Sequence, residues 1–208
     1  MINKLSLLIA HKLYCDGKIV EKEIDLYSYG LFVLISQILL FMVTMIFGLL
    51  LSCAIESAIF FISFQSIRKF AGGYHASTET RCEIMSTLSI LSCVVLLRCS
   101  KAYDYSSYII LLSVLSAVFI LILCPLDTPE KPLTQDEYKH FRRISHLILL
   151  VISVAIALSF VFNIAFILYP ACLSLILESL LLIAGKIKQI HMKENNVREQ
   201  SLRSVSSR

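Results

Sequence analysis

Charge is scarce in this sequence. Only 16% of its 208 residues are Asp, Glu, Lys or Arg, where soluble domains carry about 25%, while 57% are hydrophobic and the mean hydropathy is +0.79. That balance excludes a disordered chain and is a poor match for an ordinary soluble globule. The net charge of +4 is small and comes from clusters between apolar runs. A basic face interleaved with aromatics is missing, so nucleic acid is not an expected partner. The seven cysteines are odd in number, form no C-x-x-C pair and lie mostly inside apolar runs, which argues against a disulfide framework and against a zinc ribbon. Glycine is limited to 6 residues and proline to 4, so a cluster of either needs a reason.

What the chain has in abundance is long apolar segments. A membrane-spanning helix needs about 20 mostly apolar residues, and the uncharged stretches convert into segments at 29–51, 53–67, 82–97, 105–124 and a pair within 147–184 that folds back near Asn163. The expected fold is therefore an all-α integral membrane protein of about six hydrophobic helices, four to six of them full spans. The second and third are short enough to be re-entrant. Of the 19 Lys and Arg residues, 17 fall in the two termini and the 68–81 and 131–143 loops, leaving Arg98 and Lys101 on the other side. By the positive-inside rule both termini and both loops are expected in the cytoplasm. The chain reads as a single membrane domain over 1–208, with an interfacial segment at 1–28, cytoplasmic loops at 68–81 and 125–146, and a basic tail at 186–208.

Within the first 14 residues, Ile2, Leu5, Leu8, Ile9 and Leu13 oppose Asn3, Lys4, Ser6, His11 and Lys12. This pattern predicts an amphipathic helix lying in the membrane interface, with a surface helix packed on the rest of the protein as the alternative. A cleaved signal peptide is not expected, because the apolar stretch is short and no A-x-A site follows it.

The first loop carries Arg68, the adjacent pair Gly72-Gly73, His75 and, seven residues after the histidine, Cys82. The glycines permit positive φ and close backbone approach, and their N–H groups are oxyanion-hole candidates; a C-terminal turn of the preceding helix is the plainer use. In an unbroken helix His75 and Cys82 would stand roughly 10 Å apart at the rise of about 1.5 Å per residue. A chain that turns at the glycines and restarts at Ser77 or Thr78, both good N-caps, could fold His75 back toward a Cys82 near a helix N-terminus. A helix N-terminus and an imidazolium both lower a thiol pKa and favour the nucleophilic thiolate. Glu79 is a candidate to orient the imidazole. A metal site on His75 and Cys82 lacks a third and fourth ligand nearby, so neither metal nor cofactor is expected.

The second loop, Cys124 to Leu133, holds three of the four prolines and reads as a rigid connector. Thr134-Gln135-Asp136-Glu137 then forms a capping-box pattern that starts a helix bearing Lys139, His140, Arg142 and Arg143. Lys139, Arg142 and Arg143 are either a solvated, topology-setting face or a site for anionic lipid or an acidic peptide segment.

With these motifs in order, the sequence resembles the AgrB family, the accessory gene regulator B proteins of Gram-positive quorum sensing. The resemblance rests on the pattern R-x-x-x-G-G-x-H-x-x-x-x-x-x-C at Arg68, Gly72, Gly73, His75 and Cys82, and on the proline-rich segment from Pro125 to Leu133. It implies a membrane cysteine endopeptidase that processes an AgrD-like precursor peptide into a cyclic thiolactone autoinducer, working in the lipid bilayer as a homodimer. His75 and Cys82 fall on the family's catalytic pair, and Arg68 and Gly73 on positions important for activity. Without the resemblance, a non-enzymatic transporter or scaffold would be the default; it would need a functional ionisable residue inside a span. Glu56 and Glu178 are the candidates, both expected near segment ends.

Overall fold

The computed structural model describes residues 2–72, 79–100, 106–126 and 134–206, with the side chains of 79, 80, 82, 106 and 193–206 excepted. Among the described residues there are seven α-helices and no strand: α1 (Ile2–Cys15), α2 (Ile24–Leu50), α3 (Ala54–Ala71), α4 (Glu79–Ser100), α5 (Ser106–Leu123), α6 (Gln135–Val161) and α7 (Ala165–Ser206). The six apolar segments read from hydropathy are α2 to α7. Four stretches are long and apolar enough to cross a membrane, Glu21–Leu50, Glu83–Ser100, Gln135–Val161 and Ala165–Met192; Ser107–Leu123 is shorter. The second segment, α3, falls outside this set because Glu56, Arg68 and Lys69 sit within its 18 residues.

Two tight connections share one physical device. At the end of α2 the Cys53 N–H donates to the Gly48 carbonyl at 2.8 Å, and at the end of α6 the Ile164 N–H donates to the Ser159 carbonyl at 2.8 Å. Between them Ser52 and Asn163 each adopt φ of 55°. This is the Schellman arrangement, which satisfies last-turn carbonyls and reverses the chain within a few residues. The fold-back expected near Asn163 occurs at Asn163. The capping box also forms: Thr134 Oγ1 accepts from the Glu137 N–H at 3.3 Å while Glu137 Oε2 accepts from the Thr134 N–H at 3.0 Å.

Helices α3 and α7 form the centre. Helix α7 packs against α3, α4, α5 and α6, and α3 in turn against α2, α4 and α6. Phe60, Phe61 and Phe64 of α3 meet Ile90, Cys93 and Leu97 of α4 and Leu173 and Leu177 of α7 in one cluster. Ile67 and Ala71, farther along α3, join Ile120, Leu149, Ile152, Cys172 and Leu175 in the other. Outside this centre the apolar surface faces outward. Leu34, Ile38, Met42 and Ile46 make an exposed stripe along α2 at four-residue spacing, the pattern of a helix side against lipid tails.

Small residues set the closest approach. A Cβ on Gly48 would lie 2.6 Å from Ser57 Oγ and 3.1 Å from the Ala54 Cα, so only glycine lets α2 and α3 meet there. Helix α1 packs on α2 through its small residues Ser6 and Ala10, which are buried, and leaves Leu5, Leu7 and Leu8 exposed. The helix is thus packed on the protein through Ser6 and Ala10, with Ser6 buried and not on an outer polar side as its pattern suggests.

Two boundaries differ from expectation. The tail from residue 186 is helical, continuing α7 as far as Ser206. Glu178 consequently lies well inside α7 and within its candidate span, fully buried, and not near a segment end. Main-chain hydrogen bonding carries the helix through the charged residues from Lys186 onward.

Candidate active site

Helix α3 stops where the sequence places its glycines. Ala71 is its last residue, and Gly72 follows with φ of 78° and ψ of −146°, a combination close to glycine-only territory. The Gly72 N–H donates to the Arg68 carbonyl at 3.3 Å, and the Arg68 Nη1 reaches one turn forward to donate to the Gly72 carbonyl at 3.1 Å. Arg68 and Gly72, two members of the motif, are therefore joined through both backbone and side chain. The Gly72 amide is already engaged, so of the two proposed oxyanion donors only the Gly73 amide stays a candidate. Gly73 and His75 lie outside the described residues.

The proline-rich loop begins against this same turn. The Leu126 N–H donates to the Ala71 carbonyl at 2.8 Å, satisfying a carbonyl at the helix end. A Cβ on Gly72 would sit 2.7 Å from the Leu126 carbonyl oxygen. The two motif loops thus touch backbone to backbone at Gly72, which no side-chain pattern announces. Just past α5, Cys124 is buried, and that burial pushes its thiol up to about 11, against smaller downward pulls from Ser145 and Arg142 and with a small push from Glu178. A thiol held so far up is a poor nucleophile.

Cys82 is the fourth residue of α4, in the first helical turn as the spacing requires; its side chain and that of Glu79 are not among those described. Helix α2 brackets the starting turn of α4 and the end of α3 at one level. Ser36 Oγ donates to Glu83 Oε1 at 3.1 Å, beside Cys82, and the neighbouring Gln37 accepts from Gln65 Nε2, one turn before Arg68. Neither Ser36 nor Gln37 was legible as a supporting residue, since isolated polar residues in an apolar helix have many uses.

The basic helix also comes to this end. Phe70 and Phe141 meet edge to face with ring centroids 6.0 Å apart, tying the end of α3 to the beginning of α6. Lys139, Arg142 and Arg143 are exposed beside this contact, at the three- and four-residue spacing that puts them on one side of a helix. Next to Arg68 lies the residue that the sequence pattern misplaces, Glu178. The Glu178 carboxylate is fully buried, its Oε2 is 3.9 Å from Arg68 Nη1, and neither of its oxygens has a hydrogen-bond partner among the described residues.

The profile of the accessory gene regulator B family matches residues 6–182. The chain belongs to the AgrB family. Two Clostridium perfringens proteins with AgrB-like names, from strain SM101 and from strain 13, are each 26% identical over 145 residues, covering 67% of this chain and 67% of theirs. No solved structure gives a significant match. The family match includes α2 to α6, the glycine turn, the proline-rich loop and the first part of α7 through Leu182, so Glu178 belongs to the matched portion of the chain.

Proposed function

We propose that the protein is a membrane cysteine endopeptidase that cleaves an AgrD-like precursor peptide and closes the fragment into a thiolactone. The observation that carries this reading is that neighbouring residues of α2 hold both the start of α4, through Ser36 and Glu83, and the end of α3, through Gln37 and Gln65, while Phe70 of α3 meets Phe141 at the head of α6, in a chain of the AgrB family. His75 takes the Cys82 proton and the thiolate attacks the scissile carbonyl. The Gly73 amide steadies the developing oxyanion, and His75 returns the proton to the leaving amine. The acyl group is left as a thioester on Cys82. A cysteine thiol of the precursor then displaces Cys82, so one thioester replaces another at little cost and the Cys82 thiol is regenerated. Lys139, Arg142 and Arg143 hold an acidic part of the precursor.

In the same reading both termini and both motif loops are cytoplasmic, following the distribution of basic residues, and the protein works as a homodimer. A probe cysteine at Ser77 should resist membrane-impermeant reagents in intact cells.

A transporter without peptidase activity is the second reading, and the burial of Glu178 inside a candidate span favours it. Its neighbour, however, is Arg68 of the glycine turn, which connects it to the peptidase motif. Co-expression with a candidate precursor separates the two. The peptidase reading expects a cleaved, cyclised product that disappears in both Cys82→Ala and His75→Ala at unchanged membrane levels. Cleavage that survives Cys82→Ala would refute it.

A further inference from the structure

The proposed peptidase chemistry leaves one buried carboxyl group unused. Glu178 is 0% exposed, lacks a hydrogen-bond partner for either oxygen among the described residues, and faces the Arg68 guanidinium across 3.9 Å. Stability alone is a weak reason for such an arrangement, since replacing a buried ion pair with neutral packing is often neutral or stabilising. What the carboxylate does have is a direction. Arg68 Nη1 lies between it and the Gly72 carbonyl, to which it donates at 3.1 Å.

In a planar peptide the carbonyl and the following N–H point in opposite directions. Fastening the Gly72 carbonyl therefore fixes the orientation in which the end of α3 hands the chain on to the motif segment. A free arginine side chain has rotamers enough to miss this target, and a carboxyl group fixed beside it in the core removes many of them. We propose that Glu178 is a positioning residue of the peptidase: it aims the Arg68 guanidinium, which holds the Gly72 carbonyl and so sets the glycine segment for catalysis. This inference rests on the assignment of His75 and Cys82 as the catalytic pair.

The test uses the full chain, purified in detergent, with its precursor peptide. Glu178→Gln keeps the shape and removes the charge. Its kcat per folded molecule should fall roughly 10- to 100-fold, the scale of a misaimed catalytic group, while KM changes less than about 3-fold, whatever the melting temperature does once Arg68 has lost its partner. Glu178→Asp should recover part of the kcat, and it carries the test if the Gln variant fails to accumulate. Arg68→Gln should lose as much, and the double variant no more than Arg68→Gln alone, because the two act in series. Unchanged kcat in Glu178→Gln, multiplied losses in the double variant, or a lower melting temperature with full activity per folded molecule would each overturn the proposal. Normal cleavage by Cys82→Ala would instead remove the catalytic pair beneath it, a distinguishable result.

Discussion

Replacing Gly72 with alanine perturbs a point where, among the described residues, the two motif loops touch. The new Cβ would stand 2.7 Å from the Leu126 carbonyl oxygen, so the proline-rich loop must retreat by about 0.7 Å to reach ordinary contact. That retreat strains the 2.8 Å bond from the Leu126 N–H to the Ala71 carbonyl, worth about 1 kcal/mol. The backbone adds its own cost, because φ of 78° with ψ of −146° penalises a residue with a Cβ by about 1–3 kcal/mol. Together the loss is about 2–4 kcal/mol, which for a chain of this size lowers the melting temperature by roughly 5–15 °C. The assay is thermal unfolding in detergent beside precursor cleavage, and both should fall. Gly30→Ala is the control: its Cβ meets nothing within 4 Å and helix propensity favours alanine by about 1 kcal/mol. Because the obstructing atom is a backbone oxygen, truncating the Leu126 side chain should not rescue Gly72→Ala. A Gly72→Ala protein with wild-type melting and cleavage, or rescue by Leu126→Ala, would refute this reasoning.

Gly48→Ala should force α2 away from Ser57 and Ala54 and destabilise the protein by about 1–3 kcal/mol, measured by unfolding; an unchanged melting temperature would show that the helices part freely. A variant retaining Cys124 as its sole cysteine should be alkylated about 100-fold or more slowly than a free thiol near pH 8, since a thiol of pKa about 11 is on the order of 0.1% ionised there. Its rate should climb with pH until about 11, and a plateau below pH 9 would contradict that. Reversing Lys139, Arg142 and Arg143 to Glu should weaken precursor processing more at low salt than at high salt, because exposed charges are screened; processing that is unchanged at normal membrane levels would return them to a topology-setting role.

Much of the architecture was legible because a spanning segment must be long, apolar and ended by something identifiable. The positions of α2 to α7, the reversal at Asn163, the helix start after Thr134 and the stop at Gly72 all follow from hydropathy, capping and the need for positive φ. Glu178 was misplaced for a specific reason: charges from Lys186 onward resemble a tail, and a lone Glu in an apolar run then looks like the approach to an end. The signal available was the flanking sequence, Leu175-Ile176-Leu177 before it and Leu180-Leu181-Leu182 after it. A carboxyl group so embedded favours a polar or charged partner, and Arg68 in α3 was a candidate. The contact of Leu126 with Ala71 had no such signal, because a bond between two backbones leaves little trace in residue type. Of the motif itself, the sequence showed the joint at Gly72 but not that the Gly72 amide is spent within it.

The central claim is that Cys82 carries the acyl group during processing, and it can be observed directly. A precursor whose ring-forming cysteine is changed to alanine removes the thiol that would displace the enzyme. Incubated with the purified full chain and analysed by intact mass, it should leave an adduct of the cleaved amino-terminal fragment on the protein, labile to hydroxylamine, mapped to Cys82 and missing in His75→Ala. Cleavage of this precursor with no adduct at any time point, or an adduct mapped to another cysteine, would contradict the account.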